Sequence, residues 1–208
     1  MTKTINEILG IIISIVLLAS LYSFYNFSTI PKYLAIFSLI ILTSIFTKKI
    51  IGYFLEIDVT TQIWNFQQYG FASRHKFKKP IPIGVLLPIF LFIFSYNNIK
   101  WLATMQTEFE IKPTKKIRKR KPWSFPEIRE LDIALICFSG IISIIILALI
   151  TFSLSREIAK LCLFYAFFNL LPIGKLDGTK LFFSSRVIYL ITIMSLAAAS
   201  IILLILQF

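Results

Sequence analysis

Long apolar runs constrain this chain more than any other feature. Four of them, at about 8–27, 33–54, 131–154 and 186–208, reach the roughly 20 residues that a helix needs to cross about 30 Å of hydrocarbon. The first is longer than a signal-peptide core and is interpreted as a retained span. With 57% hydrophobic residues, the sequence predicts an all-α polytopic integral membrane protein.

Two further apolar runs are shorter. The run at 157–173 ends in an Asn-Pro tract and would bring the bundle to about five spans. The run at 81–96 is interrupted by Pro82, Gly84 and Pro88, so it allows either a short span or a re-entrant segment.

The distribution of cations distinguishes these two topologies. With the N-terminus inside and a re-entrant 81–96 run, 19 of the 22 Lys and Arg residues lie inside; with a crossing run, only 9 do. The positive-inside rule therefore favours a re-entrant segment, with the N-terminus and the basic loops in the cytoplasm.

The formal charge of +12 comes from cations grouped in the loops between apolar runs. This arrangement is typical of loops that face an anionic leaflet, at about 1 kcal/mol per cation, so we expect the lipid bilayer as a partner and no nucleic acid. The densest block supplies the candidate lipid-surface residues: Lys112, Lys115, Lys116, Arg118, Lys119, Arg120 and Lys121.

Two segments between the spans alternate apolar and polar residues with the period of a β-strand, at 57–63 and 105–112. Together they predict a small β-sheet at the membrane surface. Trp64, Trp101 and Trp123 fall in the same regions and are interpreted as interfacial anchors. We expect one transmembrane domain over 1–208, with 1–32 as an extra N-terminal span and a cytoplasmic basic loop at 100–130.

The tract Asn169-Leu170-Leu171-Pro172-Ile173-Gly174-Lys175-Leu176-Asp177-Gly178 follows a strongly apolar run. Its Asn-x-x-Pro-x-x-x-Leu-Asp-Gly pattern resembles the third core helix of the site-2 protease family of intramembrane zinc metalloproteases. The resemblance implies a site-2-protease-like core over 33–208 and a role for Asp177 as the third zinc ligand. It implies a groove for substrate peptide near the unwound tract, with these candidates: Asn169, Pro172, Gly174, Leu176 and Gly178.

The span that would carry the family's His-Glu-x-x-His helix departs from that pattern. Thr47 and Ile51 stand where the two histidines would be, and Lys48 replaces the glutamate. Zinc usually takes about three imidazole or carboxylate ligands from the protein, which these side chains do not supply. The only histidine, His75, lies among cations that disfavour a bound dication. We therefore expect no metal and no other cofactor, with Thr47, Lys48, Ile51 and Asp177 forming a degenerate site.

Asp177 needs a partner, because an ionised carboxylate at membrane depth is costly unless it is paired or hydrated. One hypothesis is that Lys48 or Lys49 replaces the positive charge of the metal and bridges to Asp177. The alternative is that both lysines reach the headgroups while Asp177 caps a helix end or meets water. The Asn-Pro tract likewise allows either an unwound segment or a kink in a packed helix.

Three classes of function remain open. The resemblance and the lost histidines together favour a catalytically inactive membrane protein that binds or scaffolds other membrane proteins. One alternative is an active intramembrane zinc metalloprotease that cleaves transmembrane segments, with zinc as its cofactor. The other is a small transporter or lipid-handling protein, suggested by the re-entrant run and the Pro-broken helix.

Overall fold

The computed structural model describes residues 2–68, 76–96, 99–111 and 128–205. Within these ranges the chain is mostly helical, with four short strands. The helices are α1 (Thr2–Tyr22), α2 (Ile30–Phe54, after a 3₁₀ turn at Phe27–Thr29), α3 (Ile83–Phe94), α4 (Glu130–Phe152), α5 (Arg156–Leu170), α6 (Asp177–Ser184) and α7 (Arg186–Ile205). The strands are β1 (Ile57–Ile63), β2 (Phe66–Gln68), β3 (Lys76–Ile81) and β4 (Met105–Ile111).

Four of the described helices, α1, α2, α4 and α7, are long and apolar enough to cross a membrane. They coincide with the four long apolar runs, which confirms the prediction of a helical membrane protein at this level. Their inner faces form one core, in which Phe37 and Ile40 of α2 and Ile141 and Ile144 of α4 are fully or almost fully buried. Their outer faces keep large apolar side chains exposed, such as Phe46, as expected for helices that face lipid.

The shorter helix α5 packs against α4. At its start Glu157 pairs with Lys32 near the beginning of α2, and just after it Asp177 pairs with Lys48 near the end of α2. Sixteen helical residues separate the two lysines, a rise of about 24 Å. The segment formed by α5 and the tract at 171–176 therefore extends over most of the length of α2.

The predicted strand pairing is confirmed. β1 and β4 are antiparallel, with Ile57 opposite Ile111 and Ile63 opposite Met105, so the two alternating segments pair residue for residue. The β1–β4 sheet packs against the helices α1 and α2, and β1 makes the contacts with both of them. An added Cβ on Gly10 would lie 3.4 Å from the Ile63 side chain.

The segment between β1 and β4 enters and leaves at the same end of α2. β1 begins just after α2, and Ile111 at the end of β4 lies opposite Ile57. Between them α3 reaches the far end of α1, where the rings of Phe92 and Phe24 lie 5.1 Å apart. The chain therefore returns to its starting end between β1 and β4, and the re-entrant placement of the 81–96 run in a membrane stays a prediction.

Some of the predicted features lie outside the described residues. They are the basic block at 112–121, His75 and Trp123.

Candidate functional site

The centre of the site begins with two adjacent lysines in the penultimate turns of α2. Successive helical residues point about 100° apart, so one of the two turns inward and the other outward. Lys48 is 5% exposed, whereas the Lys49 side chain is 46% exposed and its Nζ lies 2.7 Å from Glu7 Oε1 on α1.

Lys48 forms a buried ion pair with Asp177, the first residue of α6. Thr107 of β4 joins the pair: its hydroxyl accepts from Lys48 Nζ at 3.2 Å and donates to Asp177 Oδ1 at 2.7 Å. Asp177 is 2% exposed and Thr107 is fully buried. The hypothesis of a lysine bridge to Asp177 is confirmed for Lys48, and the alternative in which both lysines reach the headgroups is wrong.

The charges around Asp177 favour its ionised form. Burial raises the pKa of the Asp177 carboxyl, but the charges of Lys48 and Lys180 and the hydrogen bonds from Lys48 and Thr107 outweigh it. The net pKa lies below the usual value. Lys180, one turn further along α6, also lies 4.9 Å above the ring of Phe109 on β4. Two cations therefore surround one carboxylate where α2, β4 and α6 meet.

Gly140 of α4 provides the space for the Lys48 stem. A Cβ at this position would lie 2.9 Å from Lys48 Cγ and 3.1 Å from Cδ, and still closer to Cε. Any other residue would therefore push the stem away from α4. The absence of a side chain at Gly140 therefore lets the Lys48 stem lie directly against α4.

The positions that the resemblance assigns to histidines face other partners. The Thr47 hydroxyl lies 3.1 Å from that of Ser143 on α4. Ile51 packs against an apolar cluster that contains Ile57 and Ile136. Asp177 contacts the Lys48 ammonium group and the Thr107 hydroxyl. Lys180, Cys137 and Tyr165 lie within electrostatic range of it, and the described side chains at this point supply too few ligands for zinc. Within the described ranges no three His, Cys, Asp or Glu side chains are grouped to hold a metal ion.

The Asn-Pro tract is a break between two helices. α5 ends at Leu170, residues 171–176 are not helical, and α6 begins at Asp177. The interpretation as a kink in a continuous helix is therefore wrong. Pro172 has no N–H for an α-helical bond, and Gly174 adopts a φ of +59°, which favours glycine. Asn169 Nδ2 donates to the carbonyl of Tyr165 at 2.9 Å, which fixes the Asn169 side chain against the last turns of α5.

The five groove candidates divide into two sets. Asn169, Leu176 and Gly178 are buried, and a Cβ on Gly178 would lie 2.8 Å from the carbonyl oxygen of Leu171. Pro172 and Gly174 are exposed, together with their neighbours at 173 and 175. The surface that the tract offers to another molecule is therefore 172–175.

Two tryptophans support this exposed turn from beneath. Trp64 and Trp101 are 4% and 8% exposed, stack with their ring centroids 6.5 Å apart, and enclose Leu176 in one cluster. Their interpretation as interfacial anchors is wrong, because β1 and the return to β4 carry them into the bundle. A Cβ on Gly174 would lie 2.5 Å from the Trp64 ring.

Sequence reasoning missed three residues of the site. In the sequence Thr107 is one position of a predicted strand and Gly140 one position of a long apolar run, although both touch Lys48 in the structure. Glu7 was overlooked, and it holds both Lys49 and the amide of Thr61, which donates to it at 3.1 Å. Glu7 is the only acid among the first 55 residues, and that signal was available in the sequence.

No protein-family model, curated protein or solved structure gives a significant match to this chain.

Proposed function

We propose that the chain is a site-2-protease-like membrane protein that has lost zinc catalysis and that binds or scaffolds other membrane proteins. The observation that carries this proposal is the ion pair between Lys48 and Asp177. The resemblance would give this carboxylate to zinc, but here an ammonium group occupies its hydrogen-bonding sites together with Thr107. Among the described residues, the side chains that bond to Asp177 are an ammonium group and a hydroxyl, and neither provides a general base for activating water.

The binding part of the proposal rests on the turn at 172–175. It is exposed, it carries Ile173 with 43% of its surface accessible, and the buried Trp64 and Trp101 cluster supports it. A preformed apolar turn loses little conformational entropy when it contacts a partner. We propose this turn as the contact for a transmembrane segment of a client protein.

Metal analysis of the purified protein distinguishes the proposed inactive protein from the protease alternative. We expect well below one equivalent of zinc, and no cleavage of a transmembrane test substrate before or after chelation. About one equivalent of zinc, with cleavage that both chelation and Asp177→Ala abolish, would establish the enzyme instead.

Photo-crosslinking tests the contact itself. A benzophenone side chain placed at Ile173 should crosslink a defined membrane protein in native membranes, and the same probe at the exposed Leu131 on α4 should not. Equal products from both positions would show random collisions in the bilayer and would argue against a binding turn.

The proposal includes the orientation given by the positive-inside rule, with the N-terminus and the basic loops in the cytoplasm. A reporter fused to the N-terminus, active only in the cytoplasm, should be active. If a reporter that is active only outside the cytoplasm is active at the same position, the protein has the opposite orientation.

A further inference from the structure

A groove lies between α5 and α7, away from the Lys48–Asp177 pair. Its volume is about 730 Å³, within the 300–1,000 Å³ of protein sites that hold small molecules. Its walls are almost wholly apolar, with Leu163, Phe164 and Phe167 from α5 and Leu196 and Leu204 from α7. Several of these side chains are exposed, so the groove opens toward the membrane side of the bundle.

Two cations lie at one end of the groove. Arg156 and Lys160 both line it, are both exposed, and are four residues apart on α5, so they share a helix face. No acid is among the described residues that line the groove. Glu157 is engaged elsewhere, with Lys32 and with the hydroxyl of Tyr33 at 2.7 Å. Among the described residues, neither groove cation forms an ion pair.

The dimensions of the groove restrict its occupant. From Arg156 to Phe167 the helix rises about 16 Å, close to half of the roughly 30 Å hydrocarbon core. A partner helix of that length, at a diameter of about 10 Å, would need roughly 1,250 Å³, far more than the groove provides. A single extended hydrocarbon chain fits this depth, and its polar end would lie at the two cations.

We infer that the groove binds one anionic glycerophospholipid, with an acyl chain between α5 and α7 and the phosphate at Arg156 and Lys160. Arg presents a planar fork of donors that matches phosphate oxygens, and Lys adds a second charge. A zwitterionic phospholipid carries the same phosphate, but its headgroup cation is repelled by the two groove cations, so it should bind more weakly. The site is independent of the client-binding turn and of the zinc question.

The test is native mass spectrometry of the purified protein titrated with 16:0–18:1 phosphatidylglycerol or phosphatidylcholine. We expect one retained phosphatidylglycerol and weaker retention of phosphatidylcholine. Arg156→Gln with Lys160→Gln should lower phosphatidylglycerol affinity about 25-fold, at about fivefold per cation, and should lower phosphatidylcholine affinity by a smaller factor. Lys175→Gln with Arg186→Gln is the matched control, because it removes the same charges from exposed positions outside the groove.

A second variant tests the acyl part of the site. Ala197 lines the groove and is exposed, so Ala197→Phe fills the space without disturbing the core. It should weaken the retention of both lipids. Unchanged phosphatidylglycerol affinity in the Arg156/Lys160 variant, or an equal loss in the control variant, would overturn the inference. A wild-type protein that is a dimer, with an Ala197→Phe variant that is a monomer, would also overturn it, because a second copy of the chain would then cover the groove.

Discussion

Replacing Lys48 by Met should destabilise the protein strongly. Met has nearly the length of the Lys stem, so packing against Gly140 is kept while the charge is lost. Breaking a buried ion pair from one side costs about 3–5 kcal/mol, because the other charge stays buried without its partner. For a chain of about 200 residues each kcal/mol lowers Tm by about 2–4 °C, which gives a fall of about 6–20 °C. Thermal unfolding in detergent, followed by the fluorescence of the buried Trp64 and Trp101, measures it.

The same variant should reverse the pH dependence that Asp177 contributes. In the native protein the pKa of Asp177 is lowered, so its stabilising contribution is present above the unfolded pKa of about 3.9 and is lost as pH falls through the folded value. Without Lys48, burial dominates and the folded pKa rises above 3.9. The protonated form is then favoured, and this contribution is lost as pH rises. Lys48→Met should therefore be more stable at pH 5 than at pH 8.

Two further variants make the reasoning refutable. In Lys48→Met with Asp177→Asn neither charge remains, so the loss of stability should be about 2–3 kcal/mol smaller than the sum of the single losses. Lys32→Met is the matched control on the same helix: both members of its pair with Glu157 are exposed, and the pair should contribute no more than about 1 kcal/mol. A Lys48→Met protein that melts within about 2 °C of the wild type, or an additive double variant, would refute the argument.

Three more perturbations follow from the packing. Gly140→Ala should cost about 1–3 kcal/mol in the same unfolding assay, because the added methyl group meets the stem of Lys48. Gly174→Ala should cost a similar amount and alter tryptophan emission, since it strains a φ of +59° and meets the Trp64 ring. The two cysteines are both buried free thiols, so a water-soluble maleimide should label neither until the protein unfolds, as read by intact mass.

Controls for these variants come from the chain itself. A Cβ on Gly10 would meet its nearest neighbour, Ile63, at an ordinary 3.4 Å, so Gly10→Ala should be neutral or slightly stabilising in its helix. If Gly140→Ala is as stable as Gly10→Ala, the Lys48 stem has room to move and the cradle has no energetic role. Rapid labelling of folded protein would show that the core opens on the labelling timescale.

The elements and one long-range contact were predictable from the sequence for physical reasons. Apolar length defines a span, and period-two alternation defines a strand, so α1, α2, α4, α7 and the β1–β4 pair follow from local pattern alone. The bridge from Lys48 to Asp177 was predictable because a buried charge requires a partner of opposite charge, and the apolar runs contain few charged residues. A charge in an apolar setting therefore carries information about contacts far along the chain.

The remaining features depend on packing that local pattern does not encode. The residues beside Trp64 in the sequence are the same whether its ring lies at the membrane interface or inside the bundle. Only the path of β1 into the bundle decides between these two positions. Gly140 matters because α2 and α4 lie close together at this position. The sequence alone does not distinguish a glycine in a tight helix contact from one in a loose turn. Thr107 became part of the site because β4 returns beside α6.

The separation of 129 residues between Lys48 and Asp177 also sets an order of assembly. At 5–20 residues per second, synthesis places α2 in the membrane about 6–26 s before Asp177 leaves the ribosome. During that interval Lys48 lies less than two turns from the end of its helix, where an ammonium group can reach water. Closure of the bundle must draw it inward, so Lys48 can reach its buried position beside Asp177 only after α6 has been synthesised.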